Sequence, residues 1–215
     1  MNEKELKELA AQLSKPKGLP GVEVAEIMHE TNKRMTLHSI ERLSITDNEN
    51  ILELGHGNCS HLSEMLKPKM TYCGLEVSDL MNKEAIRINQ QYIDNQQAIF
   101  YLYDGLKIPF KDNFFDKAFT VNTIYFWTDP KYLIAELYRV LKPKGILNIT
   151  FALKKFMQQL PFTKYGFTLY DNDKIKRLID TSPFTIINID TETETVKSKT
   201  GESAKRAFIT VTVKK

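Results

Sequence analysis

The chain is poor in the features that mark several protein classes. Its 215 residues include two cysteines, Cys59 and Cys73, too few for a disulfide framework and in keeping with a reducing, cytoplasmic setting. Neither has a partner at metal-ligand spacing, so no metal is expected. Nine glycines and eight prolines without a short repeat exclude collagen-like and low-complexity chains. No apolar run approaches the roughly 20 residues that span a bilayer, so stable membrane insertion is not expected. The opening MNEKELKEL is charged and partly acidic, unlike a secretory signal. A net charge of +3 is too small to mark a nucleic-acid partner on its own. It is uneven, however: residues 142–215 carry +7 and residues 1–141 carry −4.

What is present is an ordinary globular balance, 42% hydrophobic and 27% charged, enough apolar material to exclude disorder as the main state. Residues 3–14 read as a helix with Leu6, Leu9 and Leu13 on one stripe. Lys15 to Gly21 breaks it, and a long amphipathic helix follows from about Val22 to Leu43. Short apolar runs then end in turn residues: Ile51–Leu54 before Gly55-His56-Gly57, Met70–Leu75 before Glu76, Ala98–Tyr103 before Asp104-Gly105, and Phe115–Val121 before Asn122. Helices are expected between them, from Cys59 to Leu66, from Ser78 or Asp79 to Asn95, and from Asp129-Pro130 to Val140. A fifth strand runs from Ile146 to Phe151. Such alternation predicts a parallel sheet covered on both faces. After a helix over residues 171–181, two alternating strands, Phe184 to Thr195 and Arg206 to Val213, are close enough to form an antiparallel hairpin. The fold class expected is α/β, a Rossmann-like three-layer sandwich. Its sheet is seven-stranded and mostly parallel, with an antiparallel carboxyl-terminal hairpin. Residues 1–45 form a helical cap beside the pocket, and residues 46–215 form the main domain.

Ligands of an open parallel sheet bind at the carboxyl ends of its strands. Gly55 and Gly57 let the backbone turn sharply and a ligand come close. Glu76 can accept from two ribose hydroxyls, and Asp104 from an exocyclic amine. Each also has a plain reading, as a turn residue or a solvated acid at a helix start.

Glu53-Leu54-Gly55-His56-Gly57-Asn58-Cys59 resembles the first motif, E/D-x-G-x-G-x-G, of class I S-adenosylmethionine-dependent methyltransferases. Ile108-Pro109-Phe110, Phe114 to Ala118 and Glu136 to Gly145 are similar to later landmarks of that family, in the right order over residues 50–150. The helix carrying Asn32 is loosely similar to that of the ubiquinone and menaquinone biosynthesis branch. The resemblance implies S-adenosylmethionine as cofactor. Glu53, Gly55 and Gly57 would surround its methionine part and Glu76 its ribose. Val77, Asp104 and Gly105 would meet the adenine, and Asn122 would border the sulfonium. Cys59 departs from the pattern, standing where a third glycine is usual.

Displacement at a sulfonium needs one base at most. His56 and Tyr125 are the catalytic candidates, with His29 and His61 behind them; none has a partner visible in the sequence. A lone histidine is more often structural, and some of Tyr125-Phe126-Trp127 must be core. The fourth strand ends without the N/D-P-P-Y of enzymes that methylate nucleobase amines. The aromatic stretches favour a small acceptor that is aromatic, apolar or an amine. Oligomeric state is not readable. Two other functions fit parts of the pattern. One is a cofactor-binding module without turnover. The other is a nicotinamide oxidoreductase, suggested by Gly55 to Ser60 and the Tyr138/Lys142 spacing, but that pair precedes the fifth strand instead of following it.

Overall fold

The computed structural model describes residues 1–197 and 203–215. Seven strands form one sheet: β1 (Asn50–Leu54), β2 (Thr71–Glu76), β3 (Ala98–Leu102), β4 (Phe115–Val121), β5 (Leu141–Ala152), β6 (Thr185–Lys197) and β7 (Ser203–Lys214). Their order is β3-β2-β1-β4-β5-β7-β6. The first five are parallel, and β7 runs antiparallel between β5 and β6. This is the expected Rossmann-like sandwich with its reversed carboxyl-terminal strand. The connection between the last two strands falls at residues 198–202, outside the described residues.

The inner strands are apolar on both sides because both faces are covered. In β1, Leu52 and Leu54 join the core of Leu133, Ile134 and Leu137. Ile51 joins the opposite core with Ile40, Leu43, Met70 and Phe119. Alternation therefore turns Glu53 toward the face that carries Ile51.

The helices are α1 (Glu3–Ser14), α2 (Gly18–Leu43), α3 (Asp79–Ile88), α4 (Gln90–Asp94), α5 (Pro130–Val140), α6 (Lys154–Met157) and α7 (Asn172–Ile179). A capping box of Asn2 and Glu5 starts α1. The Asp129 carboxylate accepts from Tyr132 N–H and Pro130 occupies the first turn of α5, as the sequence predicts. The α2 helix crosses β4, β5 and β7. It is pinned there by Asn148 Nδ2, which donates to the Ser39 carbonyl at 2.9 Å, and by buried His38, whose Nδ1 lies 3.1 Å from Thr210 Oγ1.

Three helix boundaries differ from expectation. The α2 helix begins at Gly18, not Val22, because Pro20 falls in the first turn, where no N–H is needed. The helix expected over Cys59–Leu66 is only a 3₁₀ turn, Leu62–Glu64. Cys59 sits at φ 49°, and Asn58 Oδ1 draws in Ser60 N–H and Oγ–H, so the segment cannot start as a helix. The helix expected to reach Asn95 breaks at Asn89, whose Nδ2 donates to the carbonyls of Ala85 and Cys59.

Candidate functional site

A cavity of about 320 Å³ lies at the carboxyl ends of β1, β2, β3 and β4, where the strand order reverses. Its floor includes Glu53, the Gly55–Gly57 loop, Glu76, Val77, Asp104 and Gly105, and Asn122 stands at its side. Its roof is the end of α1 with Pro16, and the face of α2 bearing Ala25, Met28, His29, Asn32 and Thr36. The cavity therefore gathers the eight residues that the sequence assigns to the cofactor.

The glycine loop has the shape its sequence requires. Gly55 and Gly57 adopt φ 71° and 58°, left-handed values that favour glycine. A Cβ on Gly55 would collide with the Thr123 methyl, whereas one on Gly57 would enter open space. Gly57 is thus where the backbone faces the cavity freely. Cys59 keeps the positive φ of the glycine it replaces, and its buried Sγ donates to Tyr72 Oη at 3.2 Å.

The Glu76 carboxylate ties the loop to β2. Oε2 accepts from Gly57 N–H at 3.0 Å, and Oε1 accepts from the N–H groups of Val77 and Ser78 at 2.7 and 2.9 Å. Glu76 is 6% exposed, so these bonds hold a nearly buried anion. Asp104 stands at the rim, its Oδ1 accepting from Leu106 N–H and Lys107 N–H. Asn122, at φ 56°, has both ends of its amide engaged. Nδ2 donates to Asn32 Oδ1 at 2.9 Å, while Oδ1 accepts from Ala152 N–H and lies 3.0 Å from Tyr125 Oη. That joins α2 to the end of β4.

His56 lies in the cavity lining with its ring packed into the sheet, and Tyr125 lies in the core. The His56 ring lies against Gly74, and a Cβ there would stand 2.5 Å from its Cδ2. It packs edge-on to Phe100, its Nδ1 donates to the Gly57 carbonyl, and its Nε2 is buried without a partner. Burial holds its pKa below the ordinary histidine value, against the pull of Glu76 and Glu53. Tyr125 is core: it is 3% exposed and gives its hydroxyl proton to the Ala152 carbonyl at 2.8 Å. Burial pushes its pKa well up.

His61 has the partner that the sequence did not reveal. Its Nε2 lies 2.9 Å from Glu53 Oε2, which also accepts from Tyr72 Oη–H at 2.6 Å. Glu53, Cys59 and His61 bring a carboxylate oxygen, a thiol and an imidazole nitrogen within 4.8 Å of one another. Hydrogen bonds among them and Tyr72 account for that grouping. Burial, and next the Glu53 charge, raises the Cys59 thiol well above its usual value. His61 and Tyr72 come from separate elements, so no periodicity marks the cluster. Trp127 also lines the cavity, with Nε1–H donating to Thr123 Oγ1 at 3.0 Å.

The methyltransferase domain model matches residues 52–149. The uncharacterised methyltransferase YdaC of Bacillus subtilis is 32% identical over 127 residues, covering 58% of this chain and 67% of YdaC. The chain belongs to the class I S-adenosylmethionine-dependent methyltransferase family. Four other curated relatives are each covered over 44% to 62% of their own length. Among solved structures, a SAM-dependent methyltransferase from Aquifex aeolicus superposes with a TM-score of 0.64 at 16% identity, covering 99% of this chain and 98% of that one. A Haemonchus contortus phosphoethanolamine N-methyltransferase, in complex with phosphomonomethylethanolamine and S-adenosylhomocysteine, superposes at 0.62 and 17% identity, over 83% of this chain and 52% of that one. Both show this methyltransferase to share their fold. Among the described residues, no helix is long and apolar enough to cross a membrane.

Proposed function

We propose that the cavity binds S-adenosylmethionine and that the protein transfers its methyl group to a small-molecule acceptor. The observation that carries this reading is the Glu76 carboxylate clamped to Gly57 N–H beside an open glycine turn, at the strand ends of a methyltransferase fold. The residues fit the cofactor. Glu53, Gly55 and Gly57 take the methionine part, and Glu76 takes the ribose hydroxyls on the lone pairs that its backbone bonds leave open. Val77 covers one adenine face, Asp104 and Gly105 meet its edge, and Asn122 borders the sulfonium end. Residues 1–45 serve as a cap on this pocket.

The cofactor supplies a methyl group already activated on a sulfonium. What the chain must add is position and the exclusion of water. Close, aligned contact between reactants is worth roughly 7–11 kcal/mol of barrier. The α2 roof and the Asn122–Asn32 bond enclose the acceptor space. Met28, Phe126 and Trp127 on its walls suit an aromatic or apolar acceptor, or an amine held against a ring face.

Calorimetric titration with S-adenosylhomocysteine tests cofactor binding. Incubation with S-adenosylmethionine and panels of phenols, amines and carboxylic acids, with S-adenosylhomocysteine as readout, tests transfer. Binding without turnover across the panels would favour a non-catalytic module, and binding of NADH in place of S-adenosylhomocysteine would overturn the proposal.

A further inference from the structure

We infer that the methyl acceptor is a phenol, whose reacting oxygen is held by Asn32 and gives its proton to His29. The inference rests on the function proposed above and names the acceptor class of that same site. Both residues lie on α2, three positions apart and so on one face of the helix, and both line the cavity. Asn32 is bonded to Asn122, the residue assigned to the sulfonium end.

The orientation of the Asn32 amide is fixed. Its Oδ1 accepts from Asn122 Nδ2 at 2.9 Å and from Arg206 Nη1 at 3.4 Å. A flipped amide would set its NH2 group against two donors. Asn122 is fixed in turn by Ala152 N–H on its Oδ1. Arg206 is held from β6 by Glu194 Oε1, 3.1 Å from Nε and 2.9 Å from Nη2, and it also donates to the Thr31 carbonyl. Among the described residues, Asn32 Nδ2 has no partner, and it is not one of the buried unpaired atoms. The free end of this amide is therefore a donor on the cavity wall.

A donor there selects among nucleophiles. An amine nitrogen has one lone pair, and a lone pair that accepts from Asn32 is lost to the methyl carbon. A thiol accepts only weakly. A hydroxyl oxygen has two lone pairs, one for Asn32 and one for the methyl carbon. Its proton needs a base, and among the described residues no hydrogen bond occupies the His29 ring. Burial holds the His29 pKa below the ordinary 6.5, and His61, from the loop after β1, lowers it further. Glu30 and Lys33, on α2 itself, pull in opposite directions. The cavity's other titratable groups include Lys15 at the end of α1, and Glu53, His56, Glu76 and Asp104 on the floor. The His29 ring is thus neutral at pH 7 and able to take a proton. An imidazole suits a phenol better than an aliphatic alcohol, which holds its proton far more tightly. Phe126 and Trp127 on the wall suit an aromatic ring.

In the step, the phenol oxygen bonds to the methyl carbon as the carbon–sulfur bond breaks and leaves its electron pair on sulfur. The phenol proton passes to His29. The products are an aryl methyl ether and S-adenosylhomocysteine, and the imidazolium returns its proton to water.

The test compares ring-matched phenols, anilines and thiophenols as acceptors, with S-adenosylhomocysteine formation as readout. Calorimetry measures phenol binding to the S-adenosylhomocysteine complex. Phenols are expected to be methylated in preference to the other two classes. Asn32→Asp keeps an oxygen for Asn122 and Arg206 and replaces only the free donor. It is expected to weaken phenol binding about tenfold, the scale of one hydrogen bond left unmade. Its unchanged affinity for S-adenosylhomocysteine shows that the variant is folded. His29→Gln is expected to lower kcat about a hundredfold with little change in KM. It also loses the fall in rate that the wild type shows as pH drops below 6.5. The kcat deficit narrows for 4-nitrophenol, a more acidic phenol that needs less help to ionise. Preference for anilines or thiophenols, no consumption of any phenol, or an unchanged profile in either variant overturns the inference, and S-adenosylhomocysteine binding then leaves the cofactor reading in place. If S-adenosylhomocysteine does not bind the wild-type chain, the cofactor reading fails and takes the inference with it.

Discussion

The floor and the roof of the cavity are held by different forces. On the floor, Glu53, Glu76 and Asn122 each satisfy several donors or acceptors in a setting with little water. Removing one such group leaves others buried and unpaired, which costs more than the bond itself. The outer part of the roof is α1, with Ala10 its one buried residue. Its ion pairs, Lys7 with Glu3 and Lys4 with Glu8, are exposed, and such pairs contribute little. A preorganised floor beneath a weakly held roof suits a site that must bind tightly and still exchange its ligand.

The largest effect is expected at the floor. Glu76→Ala removes the acceptor of three backbone N–H groups and is expected to lower S-adenosylhomocysteine affinity at least about a hundredfold, equivalent to ~3 kcal/mol, with the fold retained. Calorimetry and circular dichroism measure the two parts, and an unchanged affinity would remove Glu76 from the binding site. Gly55→Ala comes next. The left-handed φ and the collision with Thr123 are expected to cost about 2 kcal/mol in urea denaturation.

A clamp outside the cavity asks whether a saturated network stabilises without a ligand. Glu136 accepts from Arg139 and from Ile108 N–H, and first the Arg139 hydrogen bond, then the Ile108 bond, draws its pKa below the usual 4.5. A lowered folded-state value means stability that is complete above the unfolded pKa and is lost as pH falls through the folded one. Stability of the wild type is therefore expected to drop below about pH 4.5, and Glu136→Gln to lessen that drop. Parallel acid titrations of both proteins would show the clamp to be idle.

The smallest effect on stability is expected at the roof. Deleting residues 1–14 should cost under about 1 kcal/mol, as expected for exposed pairs and one buried alanine. The same deletion should speed S-adenosylhomocysteine release in stopped-flow measurements. A cost as large as that of Gly55→Ala would erase the contrast between floor and roof.

The sheet was legible because buried parallel strands read as short apolar runs ending at Gly55, Glu76, Asp104 and Asn122, and strand ends are where ligands bind. The residues assigned to the cofactor came from the same rule and from the family landmarks, and they line one cavity. The surroundings of the base candidates were not legible in the same way. His56 sits between two loop glycines in sequence, but the missing side chain at Gly74 lets its ring turn into the sheet. Tyr125 follows Asn122 by three residues, yet the 3₁₀ turn there directs it to the Ala152 carbonyl. Helix breaks at Cys59 and Asn89 depend on side-chain bonds to distant backbone, which leave no periodic trace.

Local chemistry in the sequence therefore determined the strand order's raw material. Glycines mark the points where the chain must turn, apolar runs the strands covered on both faces, and acids the strand ends. Only the tertiary structure decided which polar groups meet. Glu53, Cys59, His61 and Tyr72 lie on β1, its following loop and β2, and become one network because parallel pairing sets Glu53 beside Gly74 and places Tyr72 two residues earlier on the same strand. The roof belongs to tertiary structure as well, since α2 reaches the cavity by packing across β4, β5 and β7. Contacts between elements far apart in the chain depend on how those elements pack, and packing is a property of the whole sheet rather than of any one segment.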